Sequence, residues 1–189
     1  MDWGGGGPGR IKQGQQFDVD WIDMEDVEAP DGNLAARGHA KGAAQFCRGE
    51  GMAYGVLPDS SAGEIFFNCT QGGTQRAGQV WKYTPEFGDE PGKLSLVYES
   101  PGADTLDMND NLAFAPWGDL ILCEDGPGSQ YLRGLTPDGV VYDLAKNAHK
   151  DNAEFCGACF SPDGQTMFVN VQNPGMTYAI RGPWERLRA

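Results

Sequence analysis

Arg48 and Glu50 stand two residues apart in the string Phe46-Cys-Arg-Gly-Glu-Gly-Met52. Further along come Asp107, Asp110 and Asn111, then Glu124-Asp125-Gly126, then Glu154 ahead of Cys156-Gly-Ala-Cys159. Carboxylates gathered at one place repel each other and hold their protons unless something positive neutralises them. A set made of carboxylates and amides, without histidine, suits a hard cation, and calcium takes about six to eight such oxygens. An arginine beside those cations can hold an anion such as phosphate through its planar fork. No EF-hand pattern is present, so separate segments must bring these groups together. Plainer readings stand beside this one. Asp110-Asn111 also reads as a turn cap and Glu124-Asp125-Gly126 as a strand end. Asp138 and Asp163 belong to Pro-Asp-Gly hairpin turns, and Glu86, Asp89 and Glu90 are loop charges.

The elements that would position these groups are short strands separated by Gly, Pro and Asp. The strands are expected at 52–57, 64–70, 79–83 and 94–99, at 110–115, 119–124, 131–136 and 140–145, and at 157–161, 166–171 and 177–180. Phe114-Ala-Pro-Trp-Gly118 aligns with Phe160-Ser-Pro-Asp-Gly164, 46 residues later, and Tyr54 with Glu64-Ile-Phe-Phe67 is a looser third copy. Four strands repeating at roughly 45 residues describe β-propeller blades. The expected fold is therefore all-β: a partial propeller of about three four-stranded blades over 48–99, 104–145 and 154–184. The third blade shows only three strands and would be completed by another segment. Residues 1–47 form an irregular segment with one strand, Phe17 to Ile22. Propellers close with about four to eight blades, so three blades read as a piece of a larger ring, of six blades. In such a blade the start of the first strand and the end of the second emerge on one face. That geometry brings Arg48, Glu50, Asp110, Glu124, Asp125 and Glu154 together.

Composition narrows the function. The chain has 189 residues, 27 acidic against 14 basic, and a net charge of −13. That balance excludes a nucleic-acid-binding role, which needs a Lys/Arg surface. No apolar run reaches the roughly 20 residues of a membrane span, and the start of the chain does not read as a secretory signal. Five cysteines are an odd number. Cys156-x-x-Cys159 reads as a redox pair or half a zinc site, but His39 and His149 lie far from a second ligand in sequence. Cys69 and Cys123 are expected at matching second-strand positions, as core. Phe66, Trp81, Tyr98, Trp117 and Phe168 are expected to pack between blades.

The ordered strings resemble PhoX-type alkaline phosphatases. They run from Arg48-Gly-Glu-Gly51 through Cys69-Thr-Gln-Gly-Gly73, Gly78-Gln-Val-Trp-Lys-Tyr83, Asp110-Asn-Leu112, Pro116-Trp-Gly-Asp-Leu-Ile-Leu-Cys-Glu-Asp-Gly126 and Glu154-Phe-Cys-Gly-Ala-Cys-Phe-Ser-Pro-Asp-Gly164 to Gly182-Pro-Trp184. The resemblance covers about residues 45–185, with a weaker stretch over 10–30. It implies a β-propeller phosphomonoesterase with iron and calcium at one end of the channel, exported folded by a twin-arginine signal to the periplasm or beyond. It implies that Arg48 contacts substrate phosphate and that Glu50, Asp110, Glu124 and Glu154 are metal ligands. The family's iron-binding cysteine lies in an upstream half, so the chain reads as the C-terminal half of such an enzyme, inactive alone. A non-catalytic, secreted, calcium-binding propeller of the same family is the alternative. A lactonase-like propeller is a third, against which the Arg-Gly-Glu-Gly and Cys-Glu-Asp-Gly strings argue.

Overall fold

The computed structural model describes residues 10–56, 63–86, 90–149 and 153–188. The expected Pro58-Asp59 turn and the loop charge Asp89 lie outside them. The chain is all-β, built from three antiparallel sheets and one short helix. The first sheet takes β1 (Gln16–Val19), β2 (Gly49–Gly55), β3 (Glu64–Cys69), β4 (Gln79–Thr84) and β5 (Gly92–Glu99), in the order β1-β5-β4-β3-β2. The second is β6 (Asn109–Phe114), β7 (Leu120–Glu124), β8 (Tyr131–Leu135) and β9 (Val141–Lys146), in chain order. The third is β10 (Phe155–Phe160), β11 (Thr166–Val171) and β12 (Met176–Arg181). Eleven of the strands thus fall close to where turn residues and alternation put them. β1 is shorter than expected because its partner β5 begins at Gly92, opposite Val19, and leaves Asp20 to Ile22 nothing to pair with.

The short helix α1 (Leu34–Ala40) was not expected, because Leu-Ala-Ala-Arg-Gly-His-Ala has no apolar period and a central glycine. Bonds to the preceding loop hold it. Arg37 donates to the carbonyls of Glu25 and Asp26, and Lys41 Nζ to that of Asp23.

The sheets pack face to face. One buried cluster joins Phe66 and Val80 of the first sheet to Leu112, Leu120 and Leu122 of the second. Another joins Ile121 and Leu132 of the second to Phe155, Met167 and Val169 of the third. Cys69, Trp81 and Leu96 form a third cluster on the opposite face of the first sheet, with Ile11, Phe17 and Phe46 from the N-terminal segment against it. Two expectations change here. Trp81 packs in that third cluster, away from the second sheet, and Phe168 is 39% exposed. Cys69 and Cys123 are both buried but not at matching positions. Cys69 pairs with Gly49, whereas it is Glu124, one residue beyond Cys123, that pairs with the equivalent Asn109.

Candidate metal and phosphate site

Strands β2, β6 and β10, one in each sheet, carry the same irregularity. The ladder slips by one residue between Gly49 and Met52, between Asn109 and Leu112, and between Cys156 and Cys159. A bulge re-aims the side chains around it and is common beside active sites. Glu50 and Asp110 are the first residues inside the first two bulges. The backbone enters them in left-handed conformation, with φ of 54° at Arg48 and 53° at Met108. The strand ends are equivalent too: Thr70, Asp125 and Gln172 donate their N–H to the carbonyls of Arg48, Met108 and Glu154. Gly51 explains itself in this frame. A side chain there would come within 2.6 Å of the Asp110 carbonyl, so β2 and β6 converge only over glycine.

The convergence produces an acidic cluster. One carboxylate oxygen each from Asp110, Asp125 and Glu154 lie within 4.8 Å of one another. Glu154 and Asp125 are hydrogen-bonded, and Glu50 is close enough to raise the proton affinity of both Asp110 and Glu154. Burial, then the bond and charge of Asp125, then Asp110 and Glu50, push Glu154 up to about 7. Burial, Glu50 and Asp125 also raise Asp110, against the pull of Arg48. Arg48 lies at the rim, with Nη2 3.4 Å from Glu50 Oε1 and both side chains partly exposed.

Glu124 is not in this cluster. It is 1% exposed and faces the other way along β7. Its carboxylate accepts from Arg133 Nε at 2.7 Å, from the Asp107 N–H and from the Tyr131 N–H, both at 3.0 Å. Arg133 also bonds Asp143 and lies 3.9 Å over the Tyr131 ring. Glu124 therefore clamps the two backbone segments that flank Asp125. Gly126 completes the clamp, since a side chain there would collide with the Asp107 carboxylate. Asp125, one residue on, is the group of this strand end that joins Asp110 and Glu154. The buried Glu124–Arg133 pair has a sequence signal: an arginine amid the apolar strand Tyr131-Leu-Arg-Gly-Leu135 must find a buried anion.

The donor set fits a hard cation. Three carboxylates crowd one point, and at the end of β3 two buried neutral oxygens, Asn68 Oδ1 and Thr70 Oγ1, have no hydrogen-bond partner among the described residues. Asn68 Nδ2 is bonded to the Asp110 carbonyl at 2.6 Å, which ties its free oxygen to this end of the sheets. The five cysteines are unbridged. Burial pushes the Cys69 and Cys123 thiols up to about 12, so both stay neutral packing groups.

A pH dependence follows from Glu154. The unfolded chain releases that proton near the ordinary 4.5, the folded one only near 7. Between those values the folded state holds more protons, so stability without cations falls as pH rises through that window. Melting curves from acid to neutral pH, in chelator and then in calcium, check this. Calcium is expected to flatten the decline, and a melting temperature that rises across the window in chelator would contradict it.

A family model described as alkaline phosphatase PhoX matches residues 9–175. No curated protein matches the chain. No helix among the described residues is long and apolar enough to cross a membrane.

Proposed function

The chain belongs to the PhoX alkaline phosphatase family, and on that premise we propose that it supplies part of the metal and phosphate site of a phosphomonoesterase. The observation that carries the reading is the meeting of Asp110, Asp125 and Glu154 from two sheets, with Glu50 and Arg48 from a third beside them. We further propose that the three sheets are successive blades of a β-propeller, and that calcium and iron are the family's ions. The periplasm or the cell exterior is the proposed setting, by resemblance.

In this reading Asp110, Asp125 and Glu154 hold a divalent cation, and Asn68, tied to the Asp110 carbonyl, offers a neutral oxygen from the neighbouring sheet. Glu50, expected as a ligand, stands at the edge of the set, near enough to join. Glu124, also expected as a ligand, instead acts as a positioning residue for Asp125. Bound cations supply charge neutralisation of phosphate oxygens and an activated oxygen nucleophile. Arg48 binds the phosphate of the ester and holds its equatorial oxygens while charge spreads over them. Its side chain is 41% exposed at the open rim, where a phosphomonoester can reach it.

The test is phosphate binding by the calcium-loaded chain, alongside hydrolysis of p-nitrophenyl phosphate. Arg48→Ala removes a charge-assisted bond of about 1.5–3 kcal/mol, so phosphate affinity is expected to fall roughly 10- to 100-fold. The variant's calcium affinity should stay within about twofold of the parent's, since Arg48 is no cation ligand. Turnover is expected only where the remaining blades are present, and to vanish there on chelation. Phosphate binding indifferent to both Arg48 and calcium would overturn the proposal. Calcium binding with no phosphate binding would leave a non-catalytic calcium-binding protein.

A further inference from the structure

The bulges in β6 and β10 free backbone groups from their own ladders, and side chains of the preceding sheet take them up. Asp125 and Gln172 donate to the carbonyls of Met108 and Glu154. Counting on from those two residues makes Asp110 the counterpart of Cys156, and Asn111 that of Gly157. Asn68 of the first sheet donates to the Asp110 carbonyl at 2.6 Å. One sheet along, the Gly157 N–H donates to Asn111 Oδ1 at 2.7 Å, and the Ala158 N–H to the Cys123 sulfur. Asparagine side chains thus grip the equivalent peptide, after Asp110 in one sheet and after Cys156 in the next.

Asn111 stands apart in this series. Its counterparts in the other two sheets, Gly51 and Gly157, are glycines, so only the middle sheet carries a side chain at this place. That side chain follows Asp110 in sequence and reaches the strand that begins just after Glu154. β6 and β10 belong to different sheets and share no ladder, so this bond joins them directly. Gly157 takes it with a φ of 62°. The same peptide is held from within its own sheet, where Asn170 Nδ2 donates to the Cys156 carbonyl at 3.3 Å. The Glu154 carbonyl accepts from the Gln172 N–H at 3.1 Å. The backbone around Glu154 is therefore fixed to β11 on one side and to Asn111 on the other.

We propose that Asn111 is a positioning residue of the cation site. Its bond to Gly157 sets the spacing between Asp110 on the second sheet and Glu154 on the third. The inference rests on the reading of Asp110, Asp125 and Glu154 as cation ligands. Spacing matters to one ion more than to another. Calcium gathers about six to eight oxygens at about 2.3–2.6 Å, so it needs several protein ligands already in place. Magnesium keeps several of its waters and is held by about one or two carboxylates, so it is nearly indifferent to that spacing. With the tether cut, the two sheets relax apart and calcium loses ligands that magnesium never used. Asn111 acts through the backbone without touching the ion, as residues that orient metal ligands do.

Calorimetric titration of the full chain with calcium and with magnesium at pH 8 tests it. Asn111→Ala and the nearly isosteric Asn111→Leu are expected to lower calcium affinity roughly 10-fold and magnesium affinity less than about twofold. The ratio of the two affinities is the readout, since a variant that merely unfolds in part loses both in the same proportion. Asn111→Asp keeps an oxygen for the Gly157 N–H. Its added charge strengthens both ions alike, so the parent's ratio should return. Thr177→Val removes a bond to Asn170 inside the third sheet and should leave the ratio unchanged. If the parent binds calcium and both Asn111→Ala and Asn111→Leu keep its ratio, the proposal is overturned and the cation site stands. An Asn111→Asp ratio as low as that of Asn111→Ala, or an equal fall in Thr177→Val, would overturn it too. A parent that binds no calcium would overturn the cation reading, and the positioning role with it.

Discussion

Arg133→Leu is expected to destabilise the fold by about 3–5 kcal/mol, the cost of stranding a buried charge. For a chain of this size that lowers the melting temperature by roughly 10 °C. The reason is local. Glu124 and Arg133 are 1% and 5% exposed, and their ion pair neutralises both. Without the guanidinium, burial pushes Glu124 toward its protonated form, a direction it already leans in with Arg133 present. The Asp107 and Tyr131 amides then face a weaker acceptor. Replacing both residues by leucine should recover only part of the loss, because those amides stay unpartnered. Glu124→Gln, which keeps a carbonyl acceptor, should be milder than Glu124→Leu. Thermal melts of the four variants decide it, and an Arg133→Leu protein melting within about 2 °C of the parent would sink the clamp.

The second large effect changes sign with the cation. At pH 8 without calcium, Glu154→Gln removes a carboxylate from a crowded, partly buried cluster and should raise the melting temperature. With calcium at about 100 times its dissociation constant, the parent gains roughly 2.7 kcal/mol by linkage. That is a rise of roughly 5–10 °C. Glu154→Gln and Asp125→Asn should lose most of that gain. A mutation that merely loosened the fold would lower stability in both conditions, so the crossing of the two curves is the signature. Parallel shifts with and without calcium would count against a cation site.

Much of this fold is legible in the sequence. The alignment of Phe114-Ala-Pro with Phe160-Ser-Pro placed the hairpins, because a turn residue and strict alternation fix register within a strand or two. It also brought Arg48, Glu50, Asp110 and Glu154 to one end of the sheets. Two things were not legible. The bulges in β2, β6 and β10 slip the ladder by one residue, and nothing in Gly-Glu-Gly or Asn-Asp-Asn announces which residue is extra. The second is the division of labour between Glu124 and Asp125. Adjacent strand residues face opposite ways, so only one can reach Asp110 and Glu154. The charged intruder Arg133, rather than the acidic pair itself, tells which. The helix at 34–40 was missed for another reason: its stability comes from bonds to the loop at 23–26 and not from its own residues. Phe168 read as core because its repeat partners are core; its exposure depends on what lies beyond the third sheet, which no residue count reveals.

In this reading Asp110, Asp125 and Glu154 form one cation site. Titration calorimetry of the full chain with calcium at pH 8 tests it most directly. Saturable binding is expected, weakening as pH falls toward Glu154's value of about 7 and lost in Asp125→Asn. Glu124→Gln should weaken binding less than Asp125→Asn does. No saturable binding by the parent, or binding that Asp125→Asn leaves unchanged, would contradict it.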